Sequence, residues 1–112
     1  AAEPPIDTRG FRELLGDDHE AIRGLLARYV QASAPVHDAL AGAIRSGEPA
    51  DAVKRHAHKL KGASGMVGAS ALAGVCEDLE RAGAAGDGAA IAGHGPRLAE
   101  EWSRVARFIE QF

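Results

Sequence analysis

Val53, Ala57, Leu60, Ser64 and Val67 recur four, three, four and three residues apart within residues 51–68, DAVKRHAHKLKGASGMVG. At roughly 100° per residue these positions fall on one line down an α-helix. A strand would need strict alternation, and alternating patterns are absent from the chain. The rest of the sequence must therefore supply helices that cover this stripe. With Leu60 at the centre of the inner face, His58 points about 160° away, toward solvent. Asp51, Lys54, Arg55, Lys61, Gly62 and Gly65 share that outer side.

Taken in order, the flanking segments read as helices punctuated by glycine and proline. Asp7 is placed to cap a short first helix carrying Phe11, Leu14 and Leu15, with Gly16 ending it. Asp17 starts a second helix, Glu20 completing a capping box, with Ile22, Leu25, Leu26, Tyr29 and Ser33 inward. Ser33 and Pro35 mark a new start, and Val36, Leu40, Ala43 and Ile44 face inward up to Gly47. Pro49 opens the central helix, and Gly68 interrupts it. Ser70 is the expected cap of the next helix, whose stripe is Leu72, Val75, Cys76, Leu79 and Ala82 or Gly83. Asp87 is a candidate cap for the last segment, which carries Ile91, Leu98, Trp102, Val105, Ile109 and Phe112. A break or kink is expected near Pro96, because proline lacks the backbone donor and crowds the preceding turn. Amphipathic helices joined by short turns have one economical solution: an all-α, antiparallel four-helix bundle with a short N-terminal capping helix.

A chain of 112 residues fits one domain. Residues 1–5, AAEPP, read as a linker remnant and 6–112 as the bundle domain, so the domain is expected to come from a longer chain. Only 4% of residues are aromatic against 46% hydrophobic, so aliphatic helix packing must supply the core. The net charge of -3 argues against a nucleic-acid binder. No apolar run approaches the roughly 20 residues of a membrane span, and no signal-peptide pattern opens the chain. Cys76 is the one cysteine, so no internal disulfide is available, which fits a reducing compartment.

The outer face of the central helix carries the chemistry. A solvent-facing histidine is ordinarily a solvated residue and nothing more. Here Lys61 places an ammonium one turn on, and Lys54 and Arg55 extend the positive surface one turn back. Gly62 and Gly65 each cost a helix about 0.5–1 kcal/mol against alanine, stability given up for close approach by something outside. Neutral imidazole attacks phosphorus, and a phosphohistidine at His58 would be charge-neutralised by Lys61. The residues therefore point to a phosphoryl carrier.

His58-Lys59-Leu60-Lys61-Gly62-Ala63-Ser64, followed by Gly68-Ala69, resembles the signature of histidine-containing phosphotransfer (HPt) domains. The likeness continues through Leu72, Cys76, Leu79-Glu80 and Ala82 to Gly86-Asp87, and more weakly over FRELLGDD. The pattern departs around Gly93 to Pro96. The resemblance implies a four-helix bundle with His58 as the phosphorylated nucleophile and Lys61 and Gly62 supporting it. It implies a phosphorelay intermediate that accepts a phosphoryl group from a receiver-domain aspartate and passes it to another. It also implies response-regulator receiver domains as partners. No cofactor is expected on this chain, the Mg²⁺ belonging to the receiver. No nucleotide-binding or kinase glycine loop is present, so a carrier without its own kinase site is expected. Lys54 and Arg55 are candidates for partner docking. The expected setting is the cytoplasm, as an isolated monomer without direct membrane contact or as the C-terminal part of a membrane-tethered hybrid sensor kinase.

The remaining candidates read as structural. His56 lies about 40° from the core line and is expected at the boundary of the core. His56 and His58 diverge on a helix, and no Glu-x-x-His pattern occurs, so no metal site is expected. His19, His37 and His94 are expected as ordinary surface or capping residues, and Cys76 as a small buried hydrophobe. A docking module for receivers that carries no phosphate is the alternative function. A purely structural bundle leaves the glycines beside His58 unexplained.

Overall fold

The computed structural model describes residues 3–112; Ala1 and Ala2 of the expected linker lie outside them. Among the described residues there are five helices and no strand: α1 (Arg9–Leu15), α2 (His19–Ser46), α3 (Ala50–Met66), α4 (Ser70–Ala85) and α5 (Gly88–Gln111). The four long helices pack in a ring, α2 on α3, α3 on α4, α4 on α5 and α5 back on α2. Short connections make sequential neighbours antiparallel. At 28 residues α2 is about 42 Å long by the 1.5 Å rise, and it sets the 44 Å long axis of the molecule.

The core is aliphatic. Leu26, Leu40, Leu60, Leu72, Leu79 and Leu98 are fully buried from all four long helices, with Val53, Val75 and Val105 between them. One polar pair lies inside: the Tyr29 hydroxyl is 2.7 Å from Ser64 Oγ. Ser64 sits on the inner stripe of α3, so this bond ties α2 to α3 and satisfies two hydroxyls that would otherwise be buried without partners. Cys76 is buried as expected, and burial pushes its thiol up to about 12.

Several expected boundaries differ. There is no break at Ser33–Pro35: the expected second and third helices are one, α2. The buried stripe Ile22, Leu26, Tyr29, Ser33, Leu40 and Ala43 runs straight past Pro35. Pro35 is exposed, as is Gln31 one turn back, so the carbonyl that loses its donor is left on the wet side. Pro96 is likewise exposed within α5, with exposed Ala92 one turn before it, and the helix is continuous. Asp18, not Asp17, caps α2, its Oδ1 accepting from the Ala21 amide at 3.0 Å. Glu20 consequently sits one position too early for a capping box. Asp7 accepts from the Arg9 amide at 3.0 Å, while Thr8 occupies the cap position of α1. Ser70 is the first residue of α4, with Ala69 as its cap, whereas Asp87 caps α5 through the Ala90 amide as expected.

Leu25 and Leu14 do not face the core; they are 39% and 84% exposed. Helix α1 buries no residue fully, and only Phe11 packs against the core. The segment before it is more firmly seated. Ile6 is 1% exposed, and the Asp7 amide donates to the Gly68 carbonyl at 3.0 Å. Gly68 has φ +78, and a Cβ there would collide with the Asp7 carbonyl. The α3–α4 turn can therefore accept the N-terminal segment only with glycine at this position.

Candidate functional site

His58 stands on the outer face of α3 with 69% of its side chain exposed. Its Nδ1 lies 2.9 Å from Oε2 of Glu80 on α4. A carboxylate only accepts, so Nδ1 carries the proton, and in the neutral ring Nε2 is the nitrogen with the lone pair. The other Glu80 oxygen, Oε1, is 2.6 Å from Lys61 Nζ, an ion pair held by charge and proximity more than by alignment. The Lys61 ammonium first, and the His58 ring second, hold the Glu80 carboxyl below its ordinary range. The same contact with Glu80 raises Lys61. One anion thus bridges the histidine and the lysine.

The close approach of α3 and α4 makes this bridge possible. Gly83 is buried on α4, and a Cβ there would come within 2.9 Å of the Ala50 carbonyl oxygen and the Lys54 amide nitrogen. The two backbones therefore touch at Gly83, with no side chain between them. One turn from that crossing point lie Glu80 on α4 and His58 on α3, which is why a short carboxylate spans the gap. Leu60 and Leu79, both fully buried, hold the same two helices against the core.

Gly62 and Gly65 are exposed, and a Cβ at either would meet nothing within 4 Å. No neighbour within the fold requires glycine at these positions. Beyond them Gly65 shares a shallow cleft with Met66 and Leu14, which are 85% and 84% exposed. Arg55 is engaged with Asp51 at 3.3 Å. Lys54 lines a cleft of about 280 Å³ with Lys61, Glu77, Glu80, Arg81 and Ala84.

The structure thus joins His58 and Lys61 through Glu80, sets Lys54 in the cleft with Lys61 and Glu80, and leaves Gly62 and Gly65 as open surface. Lys61, expected to neutralise a phosphoryl group on His58, is paired with Glu80. Glu80 was missed as a partner of His58. Its signal was indirect: Gly83, one turn away in a buried stripe, marks where α4 can touch another backbone. His56 is at the core boundary as expected. His37 is more enclosed than a surface residue, its ring stacked 4.6 Å from that of Trp102. Among the described residues no group of three metal-ligating side chains converges. Among the described residues no helix is long and apolar enough to cross a membrane.

Known proteins share the family and the fold. The family model described as "Hpt domain" matches residues 11–108. The chain is similar, at 27% identity and a TM-score of 0.81, to histidine-containing phosphotransfer protein B (HptB) from Pseudomonas aeruginosa PAO1, known from a crystal structure. That likeness covers 98% of this chain and 95% of the other. No curated protein matches the sequence at a significant level.

Proposed function

The chain belongs to the Hpt domain family, and on that premise we propose that it is a phosphorelay intermediate carrying a phosphoryl group on His58. One observation supports this reading above the rest. Glu80 holds His58 by Nδ1 and leaves Nε2 free on an exposed helix face flanked by glycines.

In the loading step the Nε2 lone pair attacks the phosphorus of a receiver's aspartyl phosphate. The N–P bond forms as the bond from phosphorus to the carboxylate oxygen breaks, and the aspartate leaves as a carboxylate. The ring becomes a phosphoimidazolium that retains its Nδ1 proton. The Glu80 carboxylate against that proton offsets the new positive charge and fixes the ring's orientation. Unloading reverses these steps on a second receiver's aspartate, and either direction of flow obeys the same chemistry. Attack in line with the leaving oxygen requires the receiver's site to close over the ring, and the space above Gly62 and Gly65 admits it. The acidic cluster and Mg²⁺ that handle the phosphoryl group belong to the receiver. Lys54 and Arg55 border the approach as docking contacts. The domain works as a monomer in the cytoplasm, as the C-terminal part of a hybrid sensor kinase or as a free-standing carrier.

The test is to mix the domain with a phosphorylated receiver and look for acid-labile, alkali-stable label on it. Label on the wild type and none on His58→Gln is expected. Label that persists in the variant, or none on the wild type with any receiver tried, would overturn the carrier reading. Receiver binding without label would favour a docking module.

A further inference from the structure

We propose that Lys54 is the cation that holds the phosphoryl group once it is on His58, an inference that rests on the carrier reading above. The cations around the cleft are already committed to carboxylates, with one exception. Lys61 is paired with Glu80 at 2.6 Å, Arg81 with Glu77 at 3.3 Å and Arg55 with Asp51 at 3.3 Å. Lys54 lines the same cleft and has no carboxylate partner among the described residues. Lys59 also lacks one, but it follows His58 directly in the helix, so the two side chains diverge.

Position, one turn before His58, and rigidity both favour Lys54. Side chains on a helix tilt toward its N-terminus, so the ring of His58 lies over the turn that contains Lys54. The Lys54 backbone is fixed where α4 touches it: a Cβ on Gly83 would come within 2.9 Å of the Lys54 nitrogen and 3.0 Å of its Cβ. The ammonium is therefore carried on a pinned root beside the cleft that Lys54 lines with Lys61 and Glu80. Loading places a dianionic phosphoryl group, one net negative charge once the ring's new positive charge is counted, at a site whose resident anion, Glu80, already holds Lys61. Moving Lys61 to the phosphoryl group would leave Glu80 facing that group without its cation. Lys54 neutralises the new charge without breaking the bridge.

This role is separable from docking. Contacts made only while two proteins are docked change forward and reverse rates together and leave the transfer equilibrium between the free proteins unchanged. A residue that binds the phosphoryl group in the free carrier moves that equilibrium. The experiment measures the equilibrium distribution of label between the domain and a receiver at dilute concentration, for wild type, Lys54→Gln, Lys54→Arg and Lys59→Gln. Lys54→Gln should move label toward the receiver about threefold, less at high salt, as for an exposed charge pair. Lys54→Arg should restore the wild-type distribution, and Lys59→Gln should not change it. An unchanged equilibrium with slower transfer in both directions would overturn the inference and leave Lys54 as a docking residue. Wild type that takes up no label at all would overturn the carrier reading beneath it.

Discussion

Replacing Gly83 by alanine tests how the site is built. The added Cβ would lie 2.9 Å from the Ala50 oxygen and the Lys54 nitrogen, both backbone atoms that no side-chain rotation can move. Ordinary carbon contacts begin near 3.5 Å, so α3 and α4 must part by about 0.5 Å. That shift takes the His58–Glu80 bond from 2.9 Å toward the limit of hydrogen bonding. Overpacking of this kind costs about 1–3 kcal/mol. At roughly 4 °C per kcal/mol for a domain of this size, Tm should fall by roughly 4–12 °C. Thermal melting followed by circular dichroism reads the stability, and ¹⁵N NMR of the imidazole reads the ring. A lower Tm together with loss of the fixed Nδ1–H form is expected in the folded variant. A variant with unchanged Tm and an unchanged His58 spectrum would show that the helix crossing does not set the site.

Gly62→Ala should raise stability by about 0.5–1 kcal/mol in chemical denaturation, since its Cβ meets nothing within 4 Å. Gly62→Leu should fold equally well and yet slow transfer from a receiver; unaltered transfer would refute the clearance argument. Glu80→Gln should slow loading of His58 by about one order of magnitude, because the ring loses the carboxylate that orients it. It also has a pH signature. The depressed Glu80 pKa means its contribution to stability is present above the unfolded carboxyl's pKa and is lost as pH falls through the folded value. The stability gap between wild type and Glu80→Gln should therefore narrow in acid, and denaturant titrations at several pH values check this. Pro35→Ala should stabilise the fold by about 1–2 kcal/mol by restoring the missing bond to the Gln31 carbonyl in an unbroken helix; a lower Tm would contradict that reading.

The inner stripe of α3 could be read from spacing alone, and its outward histidine followed from the same geometry. Gly16, Gly47 and Asp87 marked helix ends because each performs a backbone task that few other residues can. Pro35 and Pro96 misled, because local chemistry treats proline as a breaker wherever it falls. In the bundle each sits on a solvated face, and continuous burial on the opposite face keeps the helix whole. Leu25 was assigned inward by spacing, but the stripe drawn through Ile22, Leu26 and Tyr29 leaves it at the edge. Glu80 was hidden for a different reason. Its contact with His58 depends on where two helices cross, and that is fixed by Gly83 against Ala50 and Lys54, a long-range contact that no local pattern encodes.

The role proposed for Glu80 is to hold His58 by Nδ1 so that Nε2 takes the phosphoryl group. The direct measurement is ¹H–¹⁵N and ³¹P NMR of the domain after loading by a phosphorylated receiver. A single phosphorus resonance coupled to Nε2 of His58, with the Nδ1 proton retained, is expected. Phosphorus on Nδ1, or on any residue other than His58, would contradict it.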